Sequence, residues 1–297
     1  MSNTIYWDKL RILVTNSCNY QCPFCHNEGQ SSHKSIKTMD FDKFKILIDA
    51  VKDEGIHEIC FSGGEPFLDK KLVEMIRYAY REAKWEISCA SNLSLITKEQ
   101  VQQLVGIPLK FNIQFPYTEA EKFHRSTGNG FIDKIITNIR MIRNAGLEVG
   151  LNCVIQNDLV ADVRHMVEFA LQEELPLKLL PQIGLPKSSD FKNFVFPILK
   201  EYAVSCNDKG TGAIRWLLKK GDKQVAVLYI DSPCLTHDMI RCRNYSEIRI
   251  LPDMSLQPCI QHPLGTKRLD LIKGKESIKQ QFREAWKNLK NCSRSTM

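Results

Sequence analysis

An α/β protein assembled from parallel β/α units is what this sequence predicts, on three observations. Between Leu10 and Leu180, six short apolar, β-rich runs alternate with five stretches of helical periodicity. Strands separated by helices pair in parallel, because the crossover returns the chain to the same end of the sheet. The segments densest in cysteine, glycine and acidic residues follow directly after strand-like runs, and parallel folds place their chemistry at the carboxyl ends of strands.

In order, strands are expected at residues 10–15, 57–62, 86–90, 109–115, 148–155 and 177–180, with helices near 40–54, 71–83, 98–104, 131–145 and 160–174. The first helix carries Phe41, Phe44, Leu47, Ile48 and Val51 at helical spacing, and Gly55 ends it. Gly146 closes the fourth in the same way. Residues 181–212, punctuated by Pro181, Gly184, Pro186, Pro197, Gly210 and Gly212, read as a connection with an aromatic patch of Phe191, Phe194, Phe196 and Tyr202. Beyond it, 214–218 and 225–230 flank a Lys219-Lys-Gly-Asp222 turn, and 247–251 and 255–260 flank Pro252-Asp-Met, predicting two hairpins. Ile278, Phe282, Ala285 and Leu289 mark one face of a closing helix.

The 297 residues suffice for one large domain, or one large and one small. A hydrophobic content of 43% and a charged content of 25% fit a globular chain. No apolar run approaches a membrane span and the start has no signal-peptide core, so a cytoplasmic protein without membrane contact is expected. The net charge of +7 is scattered, as in Lys70-Lys71 and Lys219-Lys220, which suits solvated helix faces better than a nucleic-acid surface. Eleven cysteines, an odd number, point in a reducing compartment to metal ligation rather than disulfides.

The most informative stretch is Cys18-Asn-Tyr-Gln-Cys22-Pro-Phe-Cys25, three thiols within eight residues after the first strand. Thiolates suit iron–sulfur clusters or zinc. Zinc would normally show a fourth ligand at nearby spacing, and His26 adjoins Cys25 too closely to reach the same metal without strain. Three ligands imply a four-iron cluster with one iron open to a small molecule. A second motif, Phe61-Ser-Gly63-Gly64-Glu65-Pro66, follows the second strand. Its glycines let backbone approach a ligand, and its carboxylate can pair with an ammonium.

Together these motifs resemble the signature of the radical S-adenosylmethionine (SAM) superfamily. The resemblance implies a partial (β/α)6 TIM barrel with a [4Fe-4S] cluster on Cys18, Cys22 and Cys25. It places SAM on the open iron, Phe24 as the aromatic before the third cysteine, and Gly63, Gly64, Glu65 and Pro66 around the SAM amino group. Ser91-Asn92 is similar to the pair that contacts the SAM ribose or carboxylate, and Asn152 would face the interior toward SAM or substrate. Arg11, the wording from Leu10 to Asn19, His124-Arg125 and Gly128 resemble the branch typified by GTP 3′,8-cyclase. That branch commonly ends its fourth strand in Ser-Leu-Asp, where this chain has Gln114-Phe115-Pro116, and it has an arginine at Glu247. The same substrate is therefore not expected.

Cys234, Cys242, Cys259 and Cys292 punctuate the C-terminal hairpins and helix. The arrangement resembles the twitch or SPASM-type auxiliary domain and implies a second [4Fe-4S] cluster. Cys242, Tyr245 and Cys259 fall where that branch has three cysteines, so Cys234 or Cys292 would supply the missing ligand. The expected division is a barrel at 1–182, a connection at 183–212 and a twitch-like auxiliary domain at 213–297. Cys60, Cys89, Cys153 and Cys206 read as packing residues.

The resemblance implies an enzyme that cleaves SAM reductively to a 5′-deoxyadenosyl radical and abstracts hydrogen from a polar small molecule. A nucleotide or sugar is among the candidates, in cofactor or natural-product biosynthesis, with a flavodoxin- or ferredoxin-type electron donor. No catalytic side chain is assigned. The alternatives are a maturase acting on a ribosomally made precursor peptide, and a non-catalytic iron–sulfur protein for electron transfer or binding.

Overall fold

The computed structural model describes residues 6–25, 35–210, 212–236, 238–260 and 266–292, with Cys234 and Leu235 described by backbone alone. The first half alternates as expected: β1 (Lys9–Leu13), α1 (Phe41–Val51), β2 (Glu58–Ser62), α2 (Leu72–Ala83), β3 (Glu86–Ser91), α3 (Lys98–Leu104), β4 (Leu109–Gln114), α4 (Ala120–Thr127), α5 (Ile132–Asn144), β5 (Glu148–Ile155), α6 (Val160–Glu173) and β6 (Leu177–Pro181). The second half holds α7 (Lys192–Tyr202), β7 (Ala203–Asp208), β8 (Ala213–Lys220), β9 (Lys223–Ile230), α8 (Pro233–Thr236), α9 (Met239–Arg243), β10 (Glu247–Ile250), β11 (Ser255–Gln257), β12 (Lys267–Arg268) and α10 (Lys275–Lys290).

Strands β1 to β6 pair in parallel and in sequence order, the partial (β/α)6 barrel. Their alternation explains the layering. Leu10, Ile12, Ile59, Phe61, Ile87, Phe111, Ile113, Leu151, Leu177 and Leu179 are buried in the main core, on the side the helices cover. The intervening residues face the lumen. At one level Arg11, Cys60, Ser88 and Lys110 are successive register partners. At another, Gln114, Asn152, Lys178, Leu228 and Arg215 are.

Residues 213–292 add strands to both edges of this barrel. β9 lies parallel to β6 and carries β8 and β7 beside it, while β10 lies parallel to β1 and carries β11 and β12. The result is one sheet of twelve described strands. α10 crosses the outside: the Trp7 indole N–H donates to the Phe282 carbonyl at 3.0 Å, the Trp7 and Trp286 rings meet edge to face at 4.9 Å, and Lys279 pairs with Glu54 of the loop after α1 at 2.6 Å.

α4, α7 and β7 depart from the expectation. α4 was not foreseen, because Phe123 is its sole large apolar residue. The segment 183–212, read as a connection, contains α7 and β7. Pro197 sits within α7, where it withholds one N–H from the turn before it. The aromatic patch serves packing: Phe196 meets Trp216 at 5.5 Å and Tyr229 at 5.1 Å, covering the outer face of β8 and β9. Among the described residues, no helix is long and apolar enough to cross a membrane.

Candidate active site

The cysteine loop leaves the carboxyl end of β1. Tyr20, Cys22 and Phe24 form a small buried cluster of their own, against which Cys18 and Cys25 pack. The Cys25 N–H donates to the Cys22 carbonyl at 3.1 Å, the Tyr20 N–H to Cys18 Sγ at 3.4 Å, and the Gln21 N–H to the Thr127 carbonyl at 2.8 Å, so that α4 braces the loop. Burial pushes the Cys18 thiol up to about 11 and Cys22 to about 12, with Cys25 and, for Cys18, Glu65 adding to the rise. These sulfurs are thiols at neutral pH unless a cation compensates them, as iron would. Among the described residues, no three His, Cys, Asp or Glu side chains are grouped to hold a metal ion. A cluster offers each of three soft thiolates a separate iron. The donor set fits a cluster.

The double glycine explains how a second loop reaches this one. The Gly64 N–H donates to the Thr15 carbonyl at 2.8 Å and the Glu65 N–H to the Ser17 carbonyl at 2.9 Å. A Cβ on Gly64 would stand 1.8 Å from the Ser17 oxygen, and one on Gly63, at φ +141°, 2.5 Å from the Thr15 oxygen. Glycine is required here because the two backbones touch.

Glu65 is buried, and both its oxygens are engaged. Oε1 accepts from Ser91 Oγ at 2.7 Å and the Phe67 N–H at 3.1 Å, and Oε2 accepts from the Asn92 N–H at 2.8 Å. Burial nonetheless raises its pKa to about 7. Asn92 Nδ2 donates to Asn19 Oδ1 at 2.9 Å, and Asn19 Nδ2 to Ser94 Oγ at 2.7 Å. Pro66 opens a short 3-10 turn, Pro66–Leu68. Thus Cys18 to Cys25, Gly63 to Pro66 and Ser91-Asn92 meet at the carboxyl ends of β1, β2 and β3. Ser91 and the Asn92 backbone brace Glu65, and Asn19, unforeseen from sequence, laces two of the loops.

Deeper in the lumen, Asn152 Oδ1 and Gln114 Nε2 sit on register partners, both buried without a hydrogen-bond partner. Buried polar atoms are rarely left so, which suits them to a ligand. Arg11 donates through Nε and Nη2 to the Glu247 carboxylate at 2.6 and 3.0 Å, with Arg249 3.6 Å away. Burial pushes Glu247 up, but Arg11, Arg249 and Lys9 outweigh it and hold the carboxyl at about 2. Cys60 is buried, as a packing residue would be, but on the lumen side, with its Sγ 3.5 Å from the Arg11 guanidinium. Cys89 and Cys153 do lie in the main core, whereas Cys206 is exposed on β7. Lys178 was also missed, although its place between Leu177 and Leu179 marks it as facing the other way.

The segments that carry the C-terminal cysteines lie at the opposite end, although among the described residues Cys242, Cys259 and Cys292 are not grouped to hold a metal ion. The Asp8 and Lys9 N–H groups donate to the Ser246 carbonyl, which sets Cys242 and Tyr245 beside the amino end of β1. Arg243 Nη2 donates to the Cys292 carbonyl at 3.0 Å, and the Lys290 ammonium reaches the Arg243 carbonyl, joining the ends of α9 and α10. Cys259 follows β11, which runs antiparallel to β10 and so returns to that end. The Cys234 side chain lies outside the described residues. The Tyr245 ring is 42% exposed, while burial of its hydroxyl and the Glu247 charge raise its pKa.

A parallel barrel that presents three thiols on one loop above a charged lumen has the build of the cluster-dependent barrel enzymes. The Radical SAM superfamily model matches residues 12–170, and the chain belongs to that superfamily. It is therefore an enzyme that uses a [4Fe-4S] cluster and SAM. Among its relatives, a probable GTP 3′,8-cyclase of Pyrococcus abyssi is 26% identical over 276 residues, covering 89% of this chain and 86% of the relative. One of Sulfurisphaera tokodaii is 25% identical over 293 residues, covering 94% and 90%. In fold the chain is similar to Streptococcus suis SuiB bound to S-adenosylmethionine, with TM-score 0.67, 14% identity and coverage of 86% of this chain but 60% of SuiB. It is also similar to native anSMEcpe with bound AdoMet, with TM-score 0.64, 17% identity and coverage of 93% and 80%.

Proposed function

We propose that this enzyme abstracts hydrogen from a polar small molecule of the nucleotide or sugar class, held in the barrel lumen, in the synthesis of a cofactor or natural product. The lining of the lumen carries the reading. A barrel interior that serves packing alone is filled by branched apolar side chains, whereas this one holds Arg11, Glu247, Arg249, Asn112, Gln114, Asn152 and Lys178. The GTP cyclases among its relatives agree with a nucleotide.

When bound, the cluster and SAM supply the electron and the radical that remove the hydrogen. In this reading Cys18, Cys22 and Cys25 hold the cluster, with Phe24 packed over it. Gly63 and Gly64 keep the two loops in register, and Glu65, braced by Ser91 and Asn92, receives the SAM ammonium. Asn152 and Gln114 orient what lies below, while the sheet excludes water. Cys242, Cys259 and Cys292, with Cys234, would hold a second [4Fe-4S] cluster in a twitch-like unit over 213–297. Tyr245, in the place of a cysteine, points to the Arg11–Glu247 pair instead. A flavodoxin- or ferredoxin-type protein would supply electrons.

A second reading, a peptide maturase, draws on the fold shared with SuiB, which is also known bound to its precursor peptide SuiA. Anaerobic reconstitution separates these. About eight irons in the wild type, falling to about four in Cys18→Ala/Cys22→Ala/Cys25→Ala, are expected. Deoxyadenosine release should rise with a nucleotide or sugar. A rise with peptides alone would favour the maturase, and no release with either would overturn both readings.

A further inference from the structure

The two sides of the lumen wall differ in charge. Near β1, β2 and β10 the cations face carboxylates: Lys9 lies 2.5 Å from Glu58, Arg11 2.6 Å from Glu247, and Arg249 3.6 Å from Glu247. On the opposite side, β4, β5, β6, β8 and β9 enclose a cavity of about 330 Å³, whose polar lining is Lys110, Asn112, Lys178, Lys209 and Arg215. Among the described residues, no carboxylate lines this cavity and none of its four cations makes an ion pair. Glu148, the register partner of Lys110, is exposed and outside the lining.

Lys178 and Arg215 stand on one level of the sheet, each a register partner of Leu228. The Lys178 ammonium donates to Asn112 Oδ1 at 2.8 Å, a neutral acceptor. Burial, then the positive charges of Lys9, Lys110 and Arg11, lower its pKa to about 8. Lys110 and Lys178, half-buried beside Leu151, Leu177 and Leu228, gain from a counter-charge, and the buried carboxylate of Glu247 is already committed to Arg11. An anionic ligand would supply that counter-charge.

We propose that this cavity binds a phosphoryl group of the substrate, gripped by Lys178 and Arg215 with Lys110 and Lys209 around it. The inference rests on the reading of the lumen as a substrate chamber. It adds that the anion is held by the β8 side of the wall, away from the self-neutralised Arg11. A guanidinium fork and several ammonium groups suit a multiply charged tetrahedral oxyanion. The site lies toward the amino ends of β4 to β6, away from the cysteine loop. A substrate anchored there by its phosphoryl end would extend past Asn152 and Gln114 toward SAM.

Calorimetric titration of inorganic pyrophosphate into the reconstituted protein tests this. Saturable one-site binding is expected, weakened roughly tenfold or more in Lys178→Met and in Arg215→Ala, and unchanged in Arg125→Ala on the far surface. Arg215 is exposed, so its variant carries the test should Lys178→Met fail to fold. Absence of saturable binding, equal affinity in Arg215→Ala, or tighter binding of citrate than of pyrophosphate would overturn the proposal. Deoxyadenosine release by the wild type under dithionite, with no pyrophosphate added, tests the radical reading alone. Its absence beside intact pyrophosphate binding would remove that reading and leave the anion site standing.

Discussion

Glu65 shows what one buried carboxylate can report. Burial lifts it from an ordinary value of about 4.3 to about 7, although Ser91, Asn92 and Phe67 all donate to it. With the folded value raised, the stability this group contributes is complete below about pH 4 and is lost as pH rises through about 7. Ligand binding should run the other way, since a SAM ammonium needs the carboxylate. The affinity of the reconstituted protein for SAM is expected to be greatest near pH 7 and to weaken about tenfold per pH unit below it, with Glu65→Gln removing that acid limb. Equilibrium binding across that range checks this; a flat wild-type profile would mean the ammonium is held elsewhere. The residue scale is also where sequence was most and least informative. Cys18, Cys22, Cys25, Gly63 and Gly64 were legible because their chemistry sits in local spacing. The Arg11–Glu247 pair, 236 residues apart, was not, because only the register of β10 against β1 brings it together.

Among the elements, α10 has most to hold. Phe282 is fully buried, its carbonyl accepts the Trp7 indole, and the far end of the helix leads to Cys292. Phe282→Ala should cost about 3–5 kcal/mol in denaturant unfolding. If the C-terminal thiols hold the proposed second cluster, the variant should also lose that iron while keeping the cluster proposed on Cys18, Cys22 and Cys25, read as iron per chain. Iron lost equally from both would instead show that α10 supports the whole barrel. The apolar face of α10 was plain from Ile278, Phe282, Ala285 and Leu289, but periodicity shows that a face is buried and not against what. The six barrel strands were legible as short apolar, β-rich runs set between helical stretches. α7 and β7 were hidden: Pro197 interrupts one, and the other, reading Ala-Val-Ser-Cys-Asn-Asp at an open edge, has no apolar face to reveal it.

For the molecule as a whole, the continuity of the sheet matters most. Since residues 213–292 are hydrogen-bonded to both β6 and β1, unfolding in urea should be one transition, coincident by far-ultraviolet circular dichroism and by the fluorescence of Trp7, Trp85, Trp216 and Trp286. Two transitions would instead mark a separately folding C-terminal unit. β1 has a particular place in this sheet. The cysteine loop follows it, the segment from Cys242 to Ser246 leads to its first residue, and it is bonded along both sides. Slippage by one residue would turn Leu10 into the lumen and Arg11 out of it, so the strand cannot creep. Its five residues, at about 3.3 Å each, span roughly 17 Å of the wall between the loop that carries Cys18 and the segment that leads from Cys242 to Ser246. The depth of the lumen along this strand is thereby fixed by backbone pairing, in whole peptide units, and not by side chains.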